Sequence, residues 1–129
     1  MTTDTQVKEA LDHARAAAQE LHGAINAAAA KQAGATKADL EAFAQKAKSV
    51  AQTLKSSINA QQGEARKALT DAATKLETAE KHATEGLKAS GQAFQNHLKE
   101  AVSSARSSVD KIGEAVTAAR SALADKHPK

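Results

Sequence analysis

Apolar residues recur along this chain at alternating spacings of three and four, which places them on one face of an α-helix. The pattern is interrupted three times, and it predicts helices at about residues 5–32, 37–61, 64–89 and 92–126. Short connections between long helices make neighbouring helices antiparallel. We therefore predict an all-α fold with a single domain over residues 1–129, an up-and-down antiparallel bundle of about four long amphipathic, alanine-rich helices.

Turn and capping residues mark most of the predicted helix ends. The first pattern stops at Gln32–Gly34, whose glycine stands where a helix C-terminus favours a left-handed residue. Thr36 is a candidate N-cap for the second helix because an acidic residue, Asp39, follows it three positions later. The second pattern fades at Gln61–Gly63, and Pro128 follows the last periodic residue. These signals favour four separate segments.

The break between the third and fourth segments is the least distinct. Ser90–Gly91 is a candidate turn, yet Leu87 and Leu98 keep the helical spacing on either side of it. An unbroken helix over residues 64–126 would be about 95 Å long at ~1.5 Å per residue. The stripe of apolar residues along one face of this helix could then be buried only against a second chain, in a dimer. We favour the turn because Gly86 and Gly91 are costly inside a helix.

The composition predicts a thin core. Alanine accounts for 33 residues, whereas Leu, Ile, Val, Met and Phe together account for 20. Alanine is the best helix former, but it buries far less apolar surface than leucine, at roughly 0.8 kcal/mol for each methylene. The helices are therefore expected to be strong and the packing between them weak.

Charge and cysteine content narrow the class of protein. The net charge of +3 is spread along the chain, and the only aromatic residues are Phe43 and Phe94, which argues against specific nucleic-acid binding. Cysteine is absent, the N-terminal residues do not resemble a secretory signal, and the longest apolar run is the four alanines of Ala27–Ala30. The sequence thus predicts a cytoplasmic protein that is not transmembrane.

The histidines are the residues most suggestive of chemistry. His82–Glu85 and His97–Glu100 each have a three-residue spacing, but di-iron bundles use the reverse order together with further inward glutamates. We interpret the five histidines as solvated and predict no metal site and no cofactor. Neither a serine nucleophile motif nor a glycine-rich phosphate loop occurs, so the protein is not expected to be an enzyme.

Two stretches resemble a known family. LKSSINAQQGEARKALTDAATKLETAEKHA, residues Leu54–Ala83, is similar to the middle of apolipophorin-type exchangeable lipid-binding proteins, and FQNHLKEAVSSARSSVDKIGEAV, residues Phe94–Val116, is similar to the helix that follows it there. Granule-coating phasins have a similar composition. The resemblance implies a helix bundle that opens and spreads on a hydrophobic surface, without catalytic residues.

The stripes and the resemblance together predict reversible binding to a lipid or other hydrophobic surface, which makes the protein a candidate peripheral component of granules or lipid surfaces. The candidate surface-binding residues are the large apolar members of the second and fourth stripes. They are Leu40, Phe43, Val50, Leu54, Val102, Val109, Ile112 and Val116. The alternatives are a coiled-coil-like homodimer or scaffold, a stress-protective chain that becomes helical on drying or binding, and a nucleoid protein.

Overall fold

The computed structural model of the chain describes residues 4–31 and 34–126, and its side chains over 5–31 and 34–121. The described residues form four α-helices and contain no strand. The helices are α1 (Asp4–Lys31), α2 (Lys37–Ile58), α3 (Gly63–Leu87) and α4 (Gly91–Lys126). This confirms the predicted all-α bundle. Gln32, Ala33, His127 and Pro128 lie outside the described residues.

Contacts between successive helices pair early positions with late ones, which makes the neighbours antiparallel. The Ser57 hydroxyl of α2 donates a hydrogen bond to the Ala10 carbonyl of α1, and Lys46 Nζ lies 3.8 Å from a Glu20 carboxylate oxygen. The α3–α4 pair behaves in the same way, since the Ser108 hydroxyl donates to the carbonyl of Ala72. Each helix packs on its sequence neighbours, and α1 also packs on α4, so the four helices form a ring.

The α1–α2 corner is held by the predicted cap. The Thr36 hydroxyl accepts a hydrogen bond from the Asp39 amide at 3.3 Å, and the Asp39 carboxylate accepts one from the Thr36 amide at 2.8 Å. This is a capping box, which satisfies two amides that the first turn of a helix leaves unpaired. The ammonium of Lys31, in the last turn of α1, lies 2.5 Å from the other Asp39 oxygen.

These contacts favour the ionised form of Asp39. The hydrogen bond from Lys31 and that from the Thr36 amide lower the pKa of the carboxyl from its ordinary 3.8 to about 2. A folded-state pKa below the unfolded one gives stability that is fully present above about pH 4 and is lost as the pH falls through about 2. We expect the melting temperatures of wild type and Asp39→Asn to converge over that range, measured by circular dichroism.

The matched control is Glu41→Gln, which removes one negative charge two residues away on the same helix. Its melting temperature should follow that of the wild type in parallel over the same pH range. If the melting temperature of Asp39→Asn also runs parallel to that of the wild type, the ionisation of Asp39 does not contribute to the stability of the bundle.

Two helix ends differ from the expected ones by more than one residue. Helix α2 ends at Ile58 rather than 61, because the chain turns there and the buried Gln61 side chain donates a hydrogen bond to the Val7 carbonyl of α1 at 3.2 Å. Helix α3 ends at Leu87 rather than 89. Gly91 has a φ of 59°, in the left-handed region that glycine adopts without strain, and α4 begins there. The turn is therefore present, and the continuous helix over 64–126 is wrong.

The core is one layer of apolar side chains between the four helices. Its largest fully buried members are Leu21, Ile25, Leu40, Leu54, Leu69, Leu76, Ile112 and Val50. Alanines fill most of the remaining core positions, as the composition predicts. Each large side chain therefore contributes an unusually large share of the buried apolar surface.

The interfaces around the ring are unequal. Helices α3 and α4 make the most extensive contact, and the two interfaces of α1, with α2 and with α4, are the two least extensive. Close packing of α3 against α4 is visible at Ser108, a fully buried residue whose hydroxyl lies 2.7 Å from the Ala72 carbonyl oxygen. Helix α1 is thus the helix with the weakest packing against the rest of the bundle.

Candidate functional site

Seven of the eight candidate surface-binding residues lie in the core, and the eighth, Val109, packs against it. Leu40, Phe43, Val50, Leu54 and Ile112 are at most 2% exposed, Val102 and Val116 are 9% exposed, and Val109 is partly buried against the core. The closed bundle therefore places all eight on the inner faces of α2 and α4. They contact the neighbouring helices, and only a change in helix packing would present them to an external surface.

A surface groove between α1 and α4 is lined in part by apolar core residues. It has a volume of about 530 Å³ and is lined by Ala28 of α1 and by Leu98 and Val102 of α4, among others. Lys99 and Arg106, both exposed, also line it. None of the described residues that line the groove is acidic, so its apolar floor is flanked by positive charge.

Two buried polar side chains, one in the last turn of α2 and one just after it, form hydrogen bonds that hold α1 against the bundle. The Ser57 hydroxyl donates a hydrogen bond to the Ala10 carbonyl at 3.1 Å, and Gln61 donates to Val7. Buried polar groups need such partners, and these bonds fix the register of α1 on α2. The apolar pattern of the sequence did not identify them because both residues are polar, although each falls at a stripe position of the helical pattern.

Two of the five histidines are partly buried between α3 and α4. The side chains of His82 and His97 are 26% and 29% exposed, and their ring centroids are 6.1 Å apart. The interpretation of these two as freely solvated is therefore wrong. His13 and His22, on α1, are exposed as expected.

The acidic partner of each buried histidine comes from the opposite helix. His82 and Glu85 precede Gly91 by nine and six residues, and Glu100 and His97 follow it by the same numbers. A turn at Gly91 therefore brings the two pairs together. This symmetric spacing is the sequence signal that could have identified the cluster.

No protein-family model, curated protein or solved structure matches this chain. The similarity to apolipophorin-type proteins, and that to phasins, therefore stays a prediction from the sequence. Within residues 4–31 and 34–126, no helix combines the length and the apolar character needed to cross a bilayer.

Proposed function

We propose that the protein binds reversibly to a lipid surface, or to another hydrophobic surface such as that of a granule, by releasing α1 from the bundle. The observation that carries this proposal is that α1 has the two least extensive interfaces, with an apolar groove already open along one of them. Binding in this form is non-catalytic and peripheral.

Release of α1 would free the surfaces that the proposal needs. Helix α1 covers the apolar faces of its two neighbours, α2 and α4. These are the helices that carry the eight candidate residues. An amphipathic helix with such a face binds at the boundary between lipid headgroups and acyl chains. The surface then replaces the contacts that α1 makes in the closed form.

The cost of release is limited because α1 has the two least extensive interfaces of the ring. Leu11, Leu21 and Ile25 are its only buried residues larger than alanine among those described. Its polar contacts with the rest of the bundle include the hydrogen bonds from Ser57 and Gln61 and the ion pairs Lys31–Asp39 and Glu20–Lys46. The remaining α2–α3–α4 unit keeps the two most extensive interfaces of the ring.

The charge around the groove favours an anionic surface. Lys99 and Arg106 flank the apolar opening, and basic residues beside an apolar face strengthen binding to acidic headgroups by about 1 kcal/mol each. A lipid surface with phosphate headgroups therefore fits this edge of the bundle best. One reason for the homodimer alternative was a continuous α3–α4 helix, and the turn before Gly91 removes that reason.

A disulfide that holds α1 on α2 tests the proposal. The native chain has no cysteine, and the Ser57 hydroxyl reaches the Ala10 carbonyl, so Ala10→Cys with Ser57→Cys introduces one defined pair across the interface. We expect the oxidised protein to bind phosphatidylglycerol vesicles at least tenfold less than the reduced protein, measured by co-flotation. The reduced form of the same variant is the matched control.

The wild type provides the second measurement. The wild-type protein should float with the vesicles, and tryptic cleavage within α1 should change when vesicles are present. Unchanged cleavage together with no co-flotation would contradict surface binding as a whole. Equal binding by the oxidised and reduced variants would instead show that α1 is not the helix that is released.

A further inference from the structure

Two acidic and two histidine side chains meet where α3 and α4 approach the turn that joins them. His82 and Glu85 lie on α3, and His97 and Glu100 lie on α4; these four residues are the histidine–glutamate cluster. His82 Nε2 is 3.2 Å from a Glu100 oxygen, and His97 Nδ1 is 3.8 Å from a Glu85 oxygen. Each helix therefore contributes one imidazole and one carboxylate.

Three of these side chains converge on one point. The ligand atoms that His82, Glu85 and His97 offer all lie within 4.8 Å of one another. Zinc binds nitrogen and oxygen ligands at about 2.0–2.2 Å, which places two ligands of a tetrahedral ion about 3.3 Å apart. Side-chain shifts of about 1 Å would bring the three donors into that geometry, and all three side chains retain some exposure that permits such shifts.

One nitrogen of the cluster has no partner. His82 Nδ1 is buried and forms no hydrogen bond, whereas Nε2 of the same ring faces Glu100. Buried polar atoms are nearly always satisfied, so this unpartnered imidazole nitrogen is a candidate ligand atom. Histidines that bind metals typically have their second nitrogen oriented by a carboxylate, as Glu100 orients Nε2 here.

A glycine allows the two helices to approach closely at this point. A Cβ atom at Gly86 would lie 3.0 Å from His97 Cβ and 2.6 Å from Leu40 Cδ2. The buried backbone of α3 therefore packs directly against the first side-chain atom of His97. This contact holds His97 in position before any ion arrives, which lowers the cost of assembling a site.

We propose that the cluster binds one divalent transition-metal ion of the zinc class, with His82, Glu85 and His97 as ligands and Glu100 orienting His82. Imidazole together with carboxylate selects zinc, copper or nickel over magnesium and calcium, which prefer ligands made of oxygen alone. The ion joins α3 to α4 next to their turn. Binding therefore stabilises the part of the bundle that the release of α1 leaves intact, and it does not depend on the surface-binding proposal.

Calorimetric titration of untagged protein, treated with EDTA and dialysed, tests this assignment. We expect ZnCl₂ to bind at one ion per chain and to raise the melting temperature, whereas MgCl₂ does neither. The double variant His82→Gln/His97→Gln should bind zinc at least tenfold more weakly and lose the rise in melting temperature. The matched control, His13→Gln/His22→Gln, removes the two exposed histidines of α1 and should bind like the wild type.

A third variant keeps the test decisive if the double variant does not fold. Glu85 is 46% exposed, so Glu85→Gln removes a ligand charge with little effect on packing, and it should also weaken zinc binding at least tenfold. Equal zinc affinity in the wild type and Glu85→Gln overturns the assignment. So does wild-type protein that binds no zinc, or binding that is lost in the His13→Gln/His22→Gln control.

Discussion

Replacement of Leu76 by alanine is expected to lower the free energy of unfolding by about 2–5 kcal/mol, which is a large part of the 5–15 kcal/mol typical of a small domain. Leu76 is fully buried near the middle of α3, which forms the two most extensive interfaces of the ring. Among the described residues, alanines account for 15 of the 29 that are buried in the core, and they are too short to fill the cavity that the substitution leaves. Urea unfolding followed by circular dichroism at 222 nm measures the change.

Thr78→Ala is the matched control for this prediction. Thr78 is exposed on the same helix, and its hydroxyl donates only to the Thr74 carbonyl of α3 itself. Its replacement should change the free energy of unfolding by no more than about 0.5 kcal/mol. Similar changes for the two variants would mean that the burial of Leu76 in the core adds nothing to the stability of the bundle.

Replacement of Ser108 by leucine is expected to destabilise the bundle by about 1–3 kcal/mol or more, through overpacking. The Ser108 hydroxyl oxygen lies 2.7 Å from the Ala72 carbonyl oxygen of α3, and the residue is fully buried. A carbon atom in the place of that oxygen would clash with the carbonyl, because the short distance exists only as a hydrogen bond. The helices would have to separate, and the most extensive interface of the bundle would loosen.

Ser108→Ala separates the loss of the hydrogen bond from the steric effect. It leaves the space open and removes only the hydroxyl, so we expect a loss of about 0.5–1.5 kcal/mol. Thermal melts and urea titrations of both variants give the comparison. Leucine that is tolerated as well as alanine would show that α3 and α4 are not closely packed at this position.

The helical architecture was predictable because one physical signal repeats throughout the chain. Alternation of three and four residues identified each stripe, and the glycines at 63 and 91 marked turns whose left-handed backbone is present in the structure. Thr36 and Asp39 identified the start of α2 because a capping box is a local contact between residues three apart. Such features depend only on near neighbours in the sequence.

Features that depend on contacts between helices were not predictable in the same way. Ser57, Gln61 and Ser108 are buried because a carbonyl of another helix meets each of them, and nothing in their own segments identifies that carbonyl. His82 and Glu100 face each other only because α3 and α4 meet in one particular register. The unequal packing of α1 also reflects how all four stripes fit together, which no single stripe determines.

The candidate surface residues illustrate the same distinction. Their position on apolar stripes correctly predicted burial, as for Leu40 and Ile112, which are at most 1% exposed. Burial follows from an apolar face alone, whereas surface binding requires that the closed form be easily opened. That second property depends on the relative extent of the interfaces, and only the structure describes it.

The ring arrangement has a consequence for the order in which the chain can fold during synthesis. Helix α1 is made first, but α4, one of its two partners, is made last. Domains are translated at roughly 5–20 residues per second, so the apolar face of α1 is incompletely covered for several seconds while the rest is made. Helices α3 and α4 are close in sequence and can pair as soon as both have emerged, since contacts near in sequence form with little loss of chain entropy. Docking of α1 against α4 is then the step that completes the fold. Until that step, a newly made chain exposes apolar faces that the finished bundle buries.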